Sequence, residues 1–188
     1  MFAYCNNNPV NSLDENGHSP YGKLTLWDYY LIHRMVQIEC VIHRGYDMEV
    51  SVKSANGKKG RLDLYDFSQN AYYEVKSEGA SQSPNTPLQM QRYDSSVIDA
   101  KRYESFNIVQ PPSRGTQYIS GTLEYGLYDV HYELRAPGLI VYEPQINWSR
   151  VATYATVVAL IVAGVATNGQ SLPASMPIIG ELIPALAG

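Results

Sequence analysis

Two alternating runs, Arg61 to Asp66 and Ala71 to Lys76, are separated only by Phe67, Ser68, Gln69 and Asn70. Period-two alternation belongs to strands with two distinct faces, and so short a link returns the chain alongside itself. The spacing predicts a hairpin in which Asp66 pairs with Ala71, placing Leu64 opposite Tyr73, Asp63 opposite Glu74 and Leu62 opposite Val75. One face then carries Leu62, Leu64, Tyr73 and Val75, and the other Arg61, Asp63, Tyr65, Tyr72, Glu74 and Lys76. Directly opposed residues have Cβ atoms roughly 5 Å apart, and like charges set so close repel.

Two facing carboxylates therefore ask for a cation. A hard divalent ion, Mg2+ or Mn2+, answers through Asp63 and Glu74 as oxygen ligands. Lys76 follows Glu74 on the same face about 7 Å along the strand, where an ammonium orients water or offsets charge on a phosphate. These are the parts of metal-assisted phosphodiester hydrolysis. Asp66, next to the turn, reads as a turn residue.

Thr25 stands three residues before Asp28 as a capping box, and Leu31, Met35, Ile38 and Ile42 follow at helical spacing until Gly45. Strand patterns near 47–53, 61–66 and 71–77 form an antiparallel meander, with Ser54 to Gly60 as the first turn. Thr86 and Pro87 are an N-cap and first-turn pair for a second helix running to about Tyr103, followed by a strand from Phe106 to Val109. Tyr128, Val130, Tyr132 and Leu134 alternate along a strand that Pro137 and Gly138 turn back into Leu139 to Tyr142.

Two helical positions join the candidate site. Glu39 lies among Met35, Val36 and Ile42 and leans toward the apolar face, where a carboxylate is costly without a partner. Its alternative is an ion pair with a nearby arginine. Gln89 and Tyr93, four apart, share a face of the second helix, with Gln89 offering an amide to a phosphate. Lys53, Lys58, Lys59 and Arg61 cluster around the first strand turn, either as phosphate contacts or as a charged edge that blocks sheet pairing. His33 and His43 read as helix-surface or cap residues, and Cys40 as a buried thiol.

An Asp on one strand, Glu-x-Lys on the next, an acid in the preceding helix and QxxxY in the following one resemble the PD-(D/E)xK restriction-endonuclease-like superfamily, in its toxin branch. The match covers about residues 30 to 105, with Leu62 where the family name has proline. The resemblance implies an α/β (α+β) fold with an α-β-β-β-α-β core, to which the sequence adds a C-terminal β-hairpin and an apolar helical tail. Phe2 to Asn11 is similar to the end of the RHS-repeat-associated core. Together the two imply a toxin delivered by an RHS shell into the cytoplasm of a competing bacterium, with a cognate immunity protein protecting the producer. DNA is favoured over RNA by family tendency. The expected organisation is an RHS-core remnant or linker over 1–24, the nuclease domain over 25–147 and the tail over 148–188.

Charge is distributed unevenly: from Val151 to Gly188 only Glu181 is charged. Val151 to Thr167 is read either as a membrane-interacting segment or as a buried helix. A pore-forming toxin acting through 151–167 is thus the rival function, and an inactive displaced cassette a further one. The net charge of -4 excludes binding of nucleic acid through a large positive field. From His33 to Tyr103, however, ten Lys and Arg face nine Asp and Glu, so the proposed site region is nearly neutral. Cys5 and Cys40 form no CxxC, and the four histidines lack zinc-ligand spacing. No cationic start precedes an apolar run, so no signal peptide is expected. Sixteen tyrosines against three phenylalanines suggest a β-rich fold in which many rings reach water.

Overall fold

The computed structural model describes residues 24–166 apart from 55 and 107; the expected RHS-core segment up to residue 23 and the tail from 167 onward lie outside them. The fold is mixed α+β, with a mostly antiparallel sheet and a few helices. The described residues divide into two compact units, one of residues 24–121 and 131–143 and the other of residues 122–130 and 144–166.

In the first unit, α1 (Leu26–Arg44) starts at the capping box: Asp28 N–H donates to Thr25 Oγ1 (3.2 Å) and Thr25 N–H donates to Asp28 Oδ2 (2.7 Å). Gly45 ends it at φ +69°, donating to Val41 C=O, a conformation that glycine adopts without steric cost. The meander is β1 (Asp47–Ser54), β2 (Lys59–Asp66) and β3 (Ala71–Ser77). Asp66 Oδ1 accepts from the N–H groups of Ser68 (2.9 Å) and Gln69 (3.3 Å), and so fixes the turn between β2 and β3.

Then follow α2 (Glu78–Ser81), α3 (Asn85–Asp94), β4 (Ser96–Ile98), a 3-10 helix (Lys101–Phe106) and β5 (Ser113–Arg114). The second helix thus ends at Asp94, nine residues short of the sequence expectation, because Ser96 to Ile98 pair with Val52 to Ser54 at the edge of β1. Phe106 closes the 3-10 helix, and Ile108 and Val109 form no strand. The last strands are β6 (Ser120–Tyr125), β7 (Tyr128–Ala136) and β8 (Leu139–Ile146), with the β7–β8 turn at Pro137 and Gly138 as expected. Strand order in this unit is β4-β1-β2-β3-β8-β7, and β5 and β8 both pair with β3 in parallel.

Burial corrects two expectations. Leu64 and Tyr65 are adjacent in β2, so they point to opposite faces, yet neither is exposed. Both faces of the sheet are covered. Tyrosines supply much of the filling: Tyr46, Tyr65, Tyr72, Tyr73, Tyr93, Tyr103, Tyr132 and Tyr142 are all buried. Most of their hydroxyls find partners, as Tyr65 does on Asn70 Oδ1 (2.9 Å) and Tyr72 on Asp94 Oδ1 (2.7 Å), which removes most of the cost of burying them.

The face of α1 is rotated as well. Ile32, His33, Val36, Gln37 and Cys40 are buried, while Ile38 and Ile42 of the expected apolar stripe are exposed. His33 and Gln37 turn inward because the sheet offers them polar partners, described below.

In the second unit, β6 and β7 turn at Gly126 (φ +55°) and α4 spans Trp148–Ala166. Arg150, near its start, donates to the C=O groups of Gly126 (3.0 Å) and Tyr128 (3.1 Å) and pairs with Asp129 and Glu124. Among the described residues no helix is long and apolar enough to cross a membrane.

Candidate metal centre

The β2–β3 ladder runs through Asp66 and Ala71, Tyr65 and Tyr72, and Leu64 and Tyr73, the register expected from the sequence. Beyond that point β3 engages β8, where Glu74 to Ser77 pair with Leu139 to Tyr142 and Glu74 N–H donates to Gly138 C=O (2.8 Å). Asp63 Oδ2 accepts the Val75 N–H (2.8 Å), so the side chain rather than the β2 backbone holds β3 here.

Glu74 is almost fully buried. Its Oε1 accepts from Lys76 Nζ (2.6 Å) and from Gln89 Nε2 (2.6 Å), while its Oε2 has no hydrogen-bond partner. A buried carboxylate oxygen without a donor is costly; in the metal-free chain a proton shared with the facing Asp63 carboxyl meets that cost, and a bound cation would meet it in the proton's place. Burial first, and then the facing Asp63 carboxyl, push Glu74 up to about 8 against the pull of Lys76. Burial also works to raise Asp63, but His33, Lys76 and the Val75 N–H outweigh it and hold the group below the usual carboxylate range. One acid of the pair thus favours its charged form and the other its proton, the expected outcome for two close carboxyls.

Gln89 is held in turn by Tyr93. Gln89 Nε2 donates to Tyr93 Oη (2.8 Å), and the Tyr93 hydroxyl donates to Arg61 C=O (2.8 Å). Tyr93 is buried, with its hydroxyl pushed up to about 12 by burial and then by Glu74. The expectation that Tyr93 contacts substrate is therefore replaced by a positioning role: it orients Gln89, which orients Glu74.

From α1, His33 reaches the same place, its Nε2 3.5 Å from Asp63 Oδ1. Gln37 Nε2 donates to Asp63 C=O (3.2 Å) and to Glu49 Oε1 (3.1 Å). Continuing the β1–β2 register from Met48 opposite Leu64 and Val50 opposite Leu62 sets Glu49 opposite Asp63. Glu49 and Asp63 are thus neighbours across β1 and β2, and Glu74 of β3 lies close enough to Asp63 for the two carboxyls to act on each other's titration. His33, Glu49 and Asp63 each offer a ligand atom within 4.8 Å of the others. Two carboxylates and an imidazole suit Mn2+ or Mg2+, the nitrogen favouring Mn2+, and the open Oε2 of Glu74 is a further donor close to Asp63.

Asp63, Glu74, Lys76 and Gln89 come together; Glu39 does not join them. It pairs with His43 (3.2 Å) one turn along α1, and at 100° per residue it lies roughly 120° or more around the helix from His33 and Gln37. Lys58 and Lys59 are exposed at the β1–β2 turn, about 13 Å or more from Asp63 at strand spacing. Arg61 is nearer and pairs with Glu49 (3.2 Å).

Sequence reasoning set His33 on the helix surface, a reading its burial corrects, and did not single out Gln37 or Glu49. Glu49 was within reach of the same register argument that paired Asp63 with Glu74. The inward turn of His33 had no comparable local signal. No known protein family, curated protein or solved structure matches the chain.

Proposed function

We propose that the chain is a metal-dependent nuclease with a restriction-endonuclease-like PD-(D/E)xK core, acting on DNA in preference to RNA as the toxin of an RHS-type effector. The observation that carries the reading is the unpartnered, buried Oε2 of Glu74 close to Asp63, with Lys76 Nζ 2.6 Å from the other oxygen. Structural ion pairs in a sheet seldom leave a carboxylate oxygen buried and unused. His33, Asp63 and Glu74 would hold Mg2+ or Mn2+, with Glu49 alongside. When bound, the ion supplies a Lewis acid that polarises a phosphoryl oxygen. Lys76 then offsets negative charge gathering on the phosphate, and Gln89, braced by Tyr93, keeps one Glu74 oxygen turned away so that the other faces the site.

The delivery setting, an RHS shell and a cognate immunity protein, rests on the resemblance of Phe2 to Asn11 and belongs to the same proposal, as does action in the target-cell cytoplasm. The test is cleavage of plasmid DNA and of total RNA by purified protein with Mg2+, Mn2+ or EDTA. Cleavage is expected with either metal, at lower concentration for Mn2+, and is abolished by EDTA. Glu74→Ala and Lys76→Ala should each lower the rate at least about 100-fold. Full activity in both variants, or no cleavage under any divalent metal, would overturn the assignment.

A further inference from the structure

Beside the metal ligands, two guanidinium groups from different elements converge on one carboxylate. Arg34 Nη1 of α1 donates to Glu49 Oε1 (3.0 Å) and Arg61 Nη1 of β2 to Glu49 Oε2 (3.2 Å). Gln37, fully buried, fixes the arrangement: its Oε1 accepts from Arg34 (2.9 Å) and its Nε2 donates to Glu49 Oε1. Glu49 holds φ +56° within a strand, a left-handed conformation that costs a non-glycine residue energy and persists where surrounding contacts impose it.

Stability is a poor account of this group. The side chains of Arg34, Arg61 and Glu49 are 32%, 60% and 27% exposed, and ion pairs open to water contribute little. Two guanidinium groups that each donate to a different oxygen of one anion, by contrast, match a phosphate, whose several oxygens arginine is suited to recognise. A phosphodiester carries one negative charge, as the Glu49 carboxylate does, so one can replace the other without altering the charge that the arginines see.

We infer that Arg34 and Arg61 form a seat for a nucleic-acid backbone phosphate, and that the Glu49 carboxylate occupies this seat until substrate arrives. The inference rests on the nuclease reading and names where its substrate is gripped. Arrival of the phosphate would free Glu49 from the arginines and leave its carboxylate, already within 4.8 Å of the His33 and Asp63 ligand atoms, available to a metal held there. The same side chain thereby excludes stray anions from the seat and couples backbone binding to completion of the metal site.

The experiment is fluorescence anisotropy of a short labelled DNA duplex titrated with the full chain in EDTA, which reads binding without cleavage. Arg34→Ala and Arg61→Ala should each weaken binding about tenfold and reduce the slope of log affinity against log salt by about one. Glu49→Gln, which removes the competing anion, should tighten binding. Combined with Arg61→Ala it should give no gain over Arg61→Ala alone, since the benefit acts through the arginine. Thermal melts establish that each variant folds; Arg61, the most exposed of the three, serves if Arg34→Ala does not.

A merely structural network predicts instead that Glu49→Gln weakens binding as the arginine variants do, and that result overturns the seat. So does native affinity in both arginine variants, or absence of DNA binding by the native chain. Absence of plasmid cleavage by a native chain that binds DNA with these mutational signs would count against the nuclease reading alone.

Discussion

At the scale of single residues, the pair Asp63 and Glu74 links the site to pH. The folded chain holds the Glu74 proton more tightly than the unfolded one, its value moving from 4.5 to about 8 through burial and the facing Asp63. In metal-free protein this contribution to stability is fully present below about pH 4.5 and is lost as pH rises through 8. Asp63 acts with the opposite sign: its depressed value contributes stability that disappears only in strongly acidic solution. Denaturant unfolding in EDTA should therefore show stability falling from about pH 5 to 8, and Glu74→Gln should flatten that slope. A slope unchanged by Glu74→Gln would place the titrating group elsewhere. The same proton competes with a metal for Glu74, so apparent Mn2+ affinity should rise with pH and level off above about 8.

At the scale of elements, close approach of backbone to side chain decides where the strands can lie. Gly115, just after β5, donates to Tyr72 C=O (2.9 Å) and accepts from Gly138 N–H (2.7 Å), joining β3 to the β7–β8 turn. A Cβ at Gly115 would lie 2.1 Å from Tyr73 Cζ, and the Tyr73 ring is itself stacked on Tyr46 at 5.2 Å between centroids. Gly115→Ala therefore forces a buried ring to move, and urea unfolding should show a loss of about 1–3 kcal/mol. An unchanged midpoint would mean that this region yields more easily than its packing indicates. Element boundaries set by local chemistry were legible in the sequence: the Thr25 and Asp28 capping box, Gly45, and the turn at Pro137 and Gly138. The end of α3 was not, because it depends on the free edge of β1, a partner some forty residues back in the chain.

At the scale of the whole molecule, a metal that binds the folded chain alone must stabilise it. The close approach of Asp63 to Glu74 obliges the metal-free chain to hold a proton between them, a constraint that a bound ion would remove. Mn2+ at about one hundred times its dissociation constant should add roughly 2.7 kcal/mol, read as a rise in melting temperature that EDTA reverses. The Asp63→Asn variant should lose that increment. An unaltered melting temperature in the native chain across Mn2+ and Mg2+ titrations would argue against a metal centre.

The sequence by itself determined the β2–β3 register from Asp66 and Ala71 to Leu64 and Tyr73, and so the neighbourhood of Asp63, Glu74 and Lys76, together with the shared face of Gln89 and Tyr93. These follow from strand and helix periods over a few residues, where chain connectivity leaves little choice. It also determined the mixed α+β class from the order of those patterns. Only the tertiary structure decided that α1 turns His33 and Gln37 inward and leaves Ile38 and Ile42 in solvent. Helical period defines a face but not which face a sheet will take, and here polar partners on β1 and β2 outweighed two aliphatic side chains. The structure likewise decided that β8 enters beside β3 in parallel, the long-range pairing that accompanies the end of the hairpin ladder at Leu64 and Tyr73. Such choices depend on contacts between distant segments, whose energies no single segment encodes.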